Sequence, residues 1–173
     1  MARKYIALNV DAETQFNLEA YTFWGGYDTS KGWSGNPIDK FNFHTTIVYS
    51  KNHCNSLENG TYPVSYDTWK PASVVDLDVF TFKDGTEEKI IPVMLLDQNY
   101  DSLHMHMRRL YTYFGCFCTY PDFKPHISLS YSHAAPHGIE SLRNLMKREF
   151  RKPGHGISFP IKFESITVED IIE

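Results

Sequence analysis

The segment His44-Thr45-Thr46-Ile47-Val48-Tyr49-Ser50 comes back 82 residues later as His126-Ile127-Ser128-Leu129-Ser130-Tyr131-Ser132. His, Tyr and the final Ser are identical, and Thr46/Ser128 and Ile47/Leu129 are conservative pairs. Shifted by 86 instead, Tyr5 to Asp11 lies over Ile91 to Asp97, and Val75 to Phe82 lies over Ile161 to Val168. Repetition at matching positions constrains a chain more than any single stretch of it, because a duplicated unit must pack against its own copy. Each half reads as strand, helix, His-bearing strand, strand. A single domain of residues 1–173 is therefore expected, with pseudo-repeat lobes of about 1–84 and 85–173.

Asp11 is placed to cap a first helix whose apolar stripe is Ala12, Phe16, Ala20 and Phe23. In the second half Asp97 or Asn99 caps a helix with the stripe Leu103, Met107, Leu110 and Phe114, closed by Gly115. A third helix is expected from about Ile139 to Phe150, stopped by Pro153-Gly154. Gly25-Gly26 through Asn36-Pro37 is a long connection to His44 and a candidate lid or binding loop; residues 51–73 form the other long connection.

The chain carries 17 basic and 21 acidic side chains, a net charge of -4, with no basic run longer than a pair. That balance argues against a long footprint on duplex nucleic acid and leaves room for a small phosphate ligand held by a few local groups. With 42% hydrophobic side chains, 173 residues bury enough surface to fold without disulfides or a structural metal. Cys54, Cys116 and Cys118 have no framework spacing, so buried thiols in a reducing compartment are expected. His53-Cys54 with Cys116-x-Cys118 lacks the usual zinc-knuckle spacing, and no metal or other cofactor is expected. The apolar run before Asp11 is too short for a signal peptide and no segment approaches a membrane span, so a cytoplasmic location is expected.

Side chains alternate across a strand, so His44, Thr46, Val48 and Ser50 point one way and Phe43, Thr45, Ile47 and Tyr49 the other. The second copy repeats this, with His126, Ser128 and Ser130 opposite Ile127, Leu129 and Tyr131. The apolar face suits packing against helices and leaves an imidazole and a hydroxyl ~7 Å apart on the other. Two such pairs facing one another make a compact site for a phosphodiester. Imidazole titrates near neutrality, so one ring takes a proton from an attacking hydroxyl while the other gives one to the departing oxygen. The Thr46 and Ser128 hydroxyls would donate to the non-bridging oxygens as charge builds there.

His44-Thr45-Thr46, and His126-Ile127-Ser128 within Phe123-Lys124-Pro125-His126-Ile127-Ser128-Leu129, resemble the paired His-x-Thr/Ser signatures of the two-histidine (2H) phosphoesterase superfamily. The resemblance runs through the whole repeat, though only the two motif strands are specific. It implies an α+β bilobal fold in which two pseudo-symmetric antiparallel sheets line a central cleft with helices outside, and metal-independent chemistry on 2′,3′-cyclic phosphates, 2′-5′ links or cyclic oligonucleotides. Within the superfamily the chain is most similar to phage-encoded anti-CBASS hydrolases, which cleave the cyclic di- and trinucleotide signals of bacterial defence. That implies a 2′-hydroxyl attacking the neighbouring 3′-5′ phosphate, with His44, Thr46, His126 and Ser128 catalytic, in the cytoplasm of an infected host. A monomer is expected, with a cyclic oligonucleotide or short ribonucleotide as its partner. Two other readings are an RNA-end 2′,3′-cyclic phosphodiesterase or 2′-5′ RNA ligase-like enzyme, and a non-catalytic nucleotide-binding module.

Lys124 is a candidate phosphate contact, against the common case of a surface lysine before a strand. Trp24, Tyr27, Trp33, Tyr66 and Trp69 lie in or beside the two long connections and are candidates for base stacking, against the ordinary role of large aromatics as anchors. His104 and His106 diverge on their helix, and His133 and His137 fall in a turn; none is expected to chelate.

Overall fold

A computed structural model describes residues 3–32, 35–54, 57–65, 67–84, 87–116, 124–131 and 138–171. Its elements are β1 (Arg3–Val10), α1 (Ala12–Gly25), β2 (His44–His53), β3 (Gly60–Pro63), β4 (Val74–Asp84), β5 (Glu87–Leu96), α2 (Gln98–Thr112), β6 (His126–Ser128), α3 (Ile139–Arg151) and β7 (Phe163–Asp170). The strands form one antiparallel sheet in the order β3-β7-β1-β2-β6-β5-β4. Two separate sheets were expected; instead Thr45 of β2 pairs with Ile127 of β6 and joins the halves into a continuous sheet. The two His strands thus lie side by side at its centre.

The arrangement of strands about that junction is near-symmetric. Ala7 stands opposite Thr46 as Val93 stands opposite Ser128, and Asn9 opposite His44 as Leu95 opposite His126. The outer strands depart from the sequence alignment. The sheet relates Ser165 to Asp76 and Glu169 to Phe80, an offset of 89 rather than 86, and β4, made with the first half, pairs with β5, while β7, made with the second, pairs with β1.

One sheet face is apolar and carries the core. Ile6 and Leu8 of β1, Ile47 of β2, Leu77 of β4, Met94 of β5 and Ile127 of β6 are at most 2% exposed. Alternation places these side chains under the helices, as a sheet covered on one face requires. Among the described residues no helix is long and apolar enough to cross a membrane.

The Asp11 side chain accepts from Thr14 N (2.9 Å) and caps α1, which ends at Gly26 with φ of 77°, a left-handed position that a residue without Cβ adopts at little cost. The buried face of α1 is not the expected stripe. Thr14, Gln15, Leu18 and Thr22 are buried, whereas Phe16 and Phe23 are 71% and 75% exposed. The reason is backbone demand. Gln15 Nε2 donates to Phe41 O (2.7 Å) and its Oε1 accepts from Phe43 N (3.1 Å), while Thr14 Oγ1 accepts from Lys162 N (3.1 Å). Buried segments flanking β2 and β7 need these partners, and the polar side of α1 supplies them.

α2, capped by Asp97, also turns away from its expected stripe. Tyr100, His104 and Arg108 are buried and Leu103 and Met107 half-buried, while Leu110 and Phe114 face solvent. α3 spans Ile139–Arg151, close to expectation, and buries Met146. Its basic side clamps edge strand β4: Arg143 reaches Asp78 (2.7 Å) and Val79 O (3.0 Å), and Lys147 and Arg151 reach Asp76 (2.8 and 2.9 Å). Occupied side chains and carbonyls discourage pairing with another chain at that edge. Cys54 and Cys116 are both buried and form a disulfide, with Cα atoms 5.2 Å apart, in place of the free thiols expected. It ties the end of β2 to the end of α2, and Cys118 lies outside the described residues.

Candidate active site

His44 begins β2 and His126 begins β6. Because Thr45 pairs with Ile127 in an antiparallel ladder, His44 stands across from Ser128 and Thr46 across from His126. All four project from the face opposite Thr45 and Ile127, away from the helices. Directly opposed side chains on such a ladder have Cβ atoms ~5 Å apart and diagonal ones roughly 7–8 Å, so the two imidazoles occupy diagonal corners of a small square. The hydroxyls occupy the other two.

The ring orientations repeat as the sequence does. His44 Nδ1 lies 2.8 Å from Asn42 O, and His126 Nδ1 lies 2.8 Å from Lys124 O. A carbonyl only accepts, so each Nδ1 carries the proton and each neutral ring presents Nε2 as a lone pair. Thus the exposed Lys124 contributes its backbone carbonyl, fixing the tautomer of His126. Burial drives the His126 proton affinity down to about 4, opposed by the Lys124 carbonyl and reinforced by His44, His104 and Arg108. Burial also lowers that of His44, while the Asn42 carbonyl and the Glu169 carboxylate act in the opposite sense.

Tyr5 is a member of this cluster that the motifs did not disclose. Its hydroxyl donates to His44 Nε2 (2.6 Å) and lies 3.0 Å from Thr46 Oγ1. Burial raises its proton affinity above the usual phenol range, so it remains a donor at neutral pH. The signal was β1 alternation: Tyr5, Ala7 and Asn9 share the face of His44, and the repeat puts apolar Ile91 where the first half has Tyr5.

A bulge modifies the expected alternation. Ile6 pairs with Val48 but Ala7 pairs with Thr46, so Ile47 is an extra residue in β2. Beyond it the faces exchange. Val48 turns to the core, 2% exposed, and Tyr49 joins the ring of Tyr5 on the site face, with centroids 6.0 Å apart. Across the junction, Phe80 of β4 packs edge-on against the His126 ring at 4.6 Å.

Beside His44 opens a cleft of ≈ 610 Å³ lined by Tyr5, Asn9, Lys40, His44, Thr167 and Glu169 among others. Gly32, Ile38 and Phe41 to Phe43 wall it, so the long connection after α1 does border the site. The aromatics proposed for stacking divide. Trp69 is 3% exposed and packed against His104 and Tyr100 in the core, which removes it from the site. Trp24 is 84% exposed and, with Tyr27, lines a separate groove between α1 and α3. Trp33 and Tyr66 lie outside the described residues, as do His133 and His137. His106 is exposed. Among the described residues no group of three or more His, Cys, Asp or Glu is placed to hold a metal ion.

The profile of the family described as anti-CBASS protein Acb1 matches residues 4–150. The chain belongs to the Acb1 family. The matched span runs from β1 into α3 and contains Tyr5 and both His strands; β7, which completes the cleft wall, follows it.

Proposed function

We propose that this chain is a phosphodiesterase that opens cyclic di- or trinucleotides at a 3′-5′ bond, with His44, Thr46, His126 and Ser128 acting on one phosphate, in the service of phage evasion of CBASS defence. The observation that carries the reading is the Thr45–Ile127 register, which brings both imidazoles and both hydroxyls onto one face. Membership of the Acb1 family supports the substrate class. Resemblance of the paired motifs to the 2H superfamily supports the reaction type.

In the first step the ribose 2′-hydroxyl attacks phosphorus in line, losing its proton to one imidazole, while the other protonates the departing 5′ oxygen. Burial lowers the proton affinity of both rings, so both start neutral and able to accept, and an anionic phosphate, joined at His44 by the Glu169 carboxylate, favours the protonated form of the ring that donates. The hydroxyls of Thr46 and Ser128 turn to the non-bridging oxygens. Water then resolves the 2′,3′-cyclic phosphate with the two rings in exchanged roles. Both proton transfers are supplied by side chains, so the reaction as written calls on no metal ion.

The test is incubation, in the presence of a chelator, with a panel of cyclic dinucleotides, cyclic trinucleotides and RNA ending in a 2′,3′-cyclic phosphate. Linear products from the cyclic substrates are expected. Cleavage of RNA ends alone would instead establish the RNA-processing reading, and tight binding without turnover would establish a binding module.

A further inference from the structure

The buried face of α2 carries a histidine and an arginine where two leucines would have sufficed for a core. His104 and Arg108 are 1% and 7% exposed and one helical turn apart. Both reach β2 from behind. The Thr45 hydroxyl lies 3.1 Å from His104 Nε2, whose ring donates Nδ1–H to Tyr100 O (2.9 Å); Arg108 Nε donates to Ile47 O (2.8 Å). These anchor points alternate with the catalytic positions: Thr45 lies between His44 and Thr46, and Ile47 follows Thr46.

The second contact is informative because Ile47 is the extra residue of the bulge. A bulge removes a residue from the ladder and re-aims its neighbours. Ile47 has no register partner in β1, and its carbonyl accepts from the buried Arg108 guanidinium. Burying a cation is costly unless it is well hydrogen-bonded, so its retention behind a catalytic strand calls for a reason beyond packing.

We propose that His104 and Arg108 are positioning residues: from the buried side they hold Thr45 and the Ile47 bulge, and thereby set the distance and orientation of His44 and Thr46 relative to His126 and Ser128. The inference rests on the phosphodiesterase reading above. Neither residue touches the cleft. Misplacement of a reacting group by about 1 Å costs roughly 10²-fold in rate, so loosening β2 should act on turnover more than on binding.

The test compares Arg108→Met, Arg108→Lys and His104→Gln with wild type, reading kcat and KM on a cyclic dinucleotide, thermal unfolding, and ¹⁵N imidazole NMR titrations. The charged and titratable groups whose fields reach His126 are His44 on its own face of the sheet and, from the buried side, His104 and Arg108 of α2. For Arg108→Met a kcat loss of about 30- to 100-fold is expected with KM within about threefold, together with a raised His126 titration midpoint. Arg108→Lys keeps the charge but loses the planar Nε donor, so kcat should stay low while the midpoint stays near wild type. His104→Gln, the milder change, should cost about tenfold in kcat. Folded Arg108→Met and His104→Gln proteins with kcat within threefold of wild type would overturn the proposal, as would losses that merely track the folded fraction. If wild type itself cleaves nothing, the phosphodiesterase reading fails, and the proposal then stands or falls on whether the His44 imidazole signals move in folded variants.

Discussion

At the scale of single residues the proposed mechanism divides the site into proton carriers, hydroxyl donors and the groups that hold them. His44→Ala and His126→Ala are each expected to lower turnover of a cyclic dinucleotide by at least about 100-fold, with affinity little changed by calorimetry; wild-type-like turnover by either variant would remove the assignment. In the proposed mechanism Thr46→Val and Ser128→Ala each delete one donor to the phosphate, and losses of about 10²-fold in kcat are expected from steady-state rates. The four motif residues were legible in the sequence because their spacing repeats and strand alternation fixes which side chains share a face. Tyr5 was not, since its hydroxyl acquires meaning only when β1 is laid beside a bulged β2. Trp69 misled for the converse reason: its place in a long connection suggested access, yet the ring fills the space over His104 and Tyr100.

At the scale of elements, strand periodicity was readable and helix facing was not. The α1 and α2 patterns each offered an apolar stripe, but the faces that dock are those that satisfy buried backbone groups or reach β2 with a side-chain donor. Gln15→Leu should therefore destabilise by about 2 kcal/mol, because Phe43 N and Phe41 O lose their partner in a buried position. Leu18→Ala, in the same helix, should cost about 3 kcal/mol, whereas Phe16→Ser should change stability by less than about 0.5 kcal/mol. Urea unfolding of the three variants reads these values, and a large loss from Phe16→Ser would show that the exposed face of α1 is covered in solution. α3 was legible because its helical period, its stop at Pro153-Gly154 and its basic flank all agree with its position beside Asp76 and Asp78.

At the scale of the whole molecule, two buried histidines make stability depend on pH. Burial lowers the proton affinities of both His104 and His126 from the ordinary 6.5 to about 4. On acidification the unfolded chain takes up protons first, so their contribution is complete above pH 6.5 and is lost as the pH falls toward 4. Each supplies a slope of at most about 1.4 kcal/mol per pH step. Denaturant midpoints should fall between pH 7 and pH 5, and fall less in His104→Gln; identical midpoints would contradict it. The internal repeat announced two related halves but could not announce that a strand from each is hydrogen-bonded into the other's territory, since that exchange changes no local pattern. It also dictates an order of events during synthesis. β3 has its hydrogen-bonded neighbour only in β7, and β1 lacks its outer neighbour until β7 arrives. While the ribosome is still making residues 163–170, the strand holding Tyr5 is a bare edge, and the nascent chain waits, vulnerable to stray pairing, for β7 to slide in beside β1.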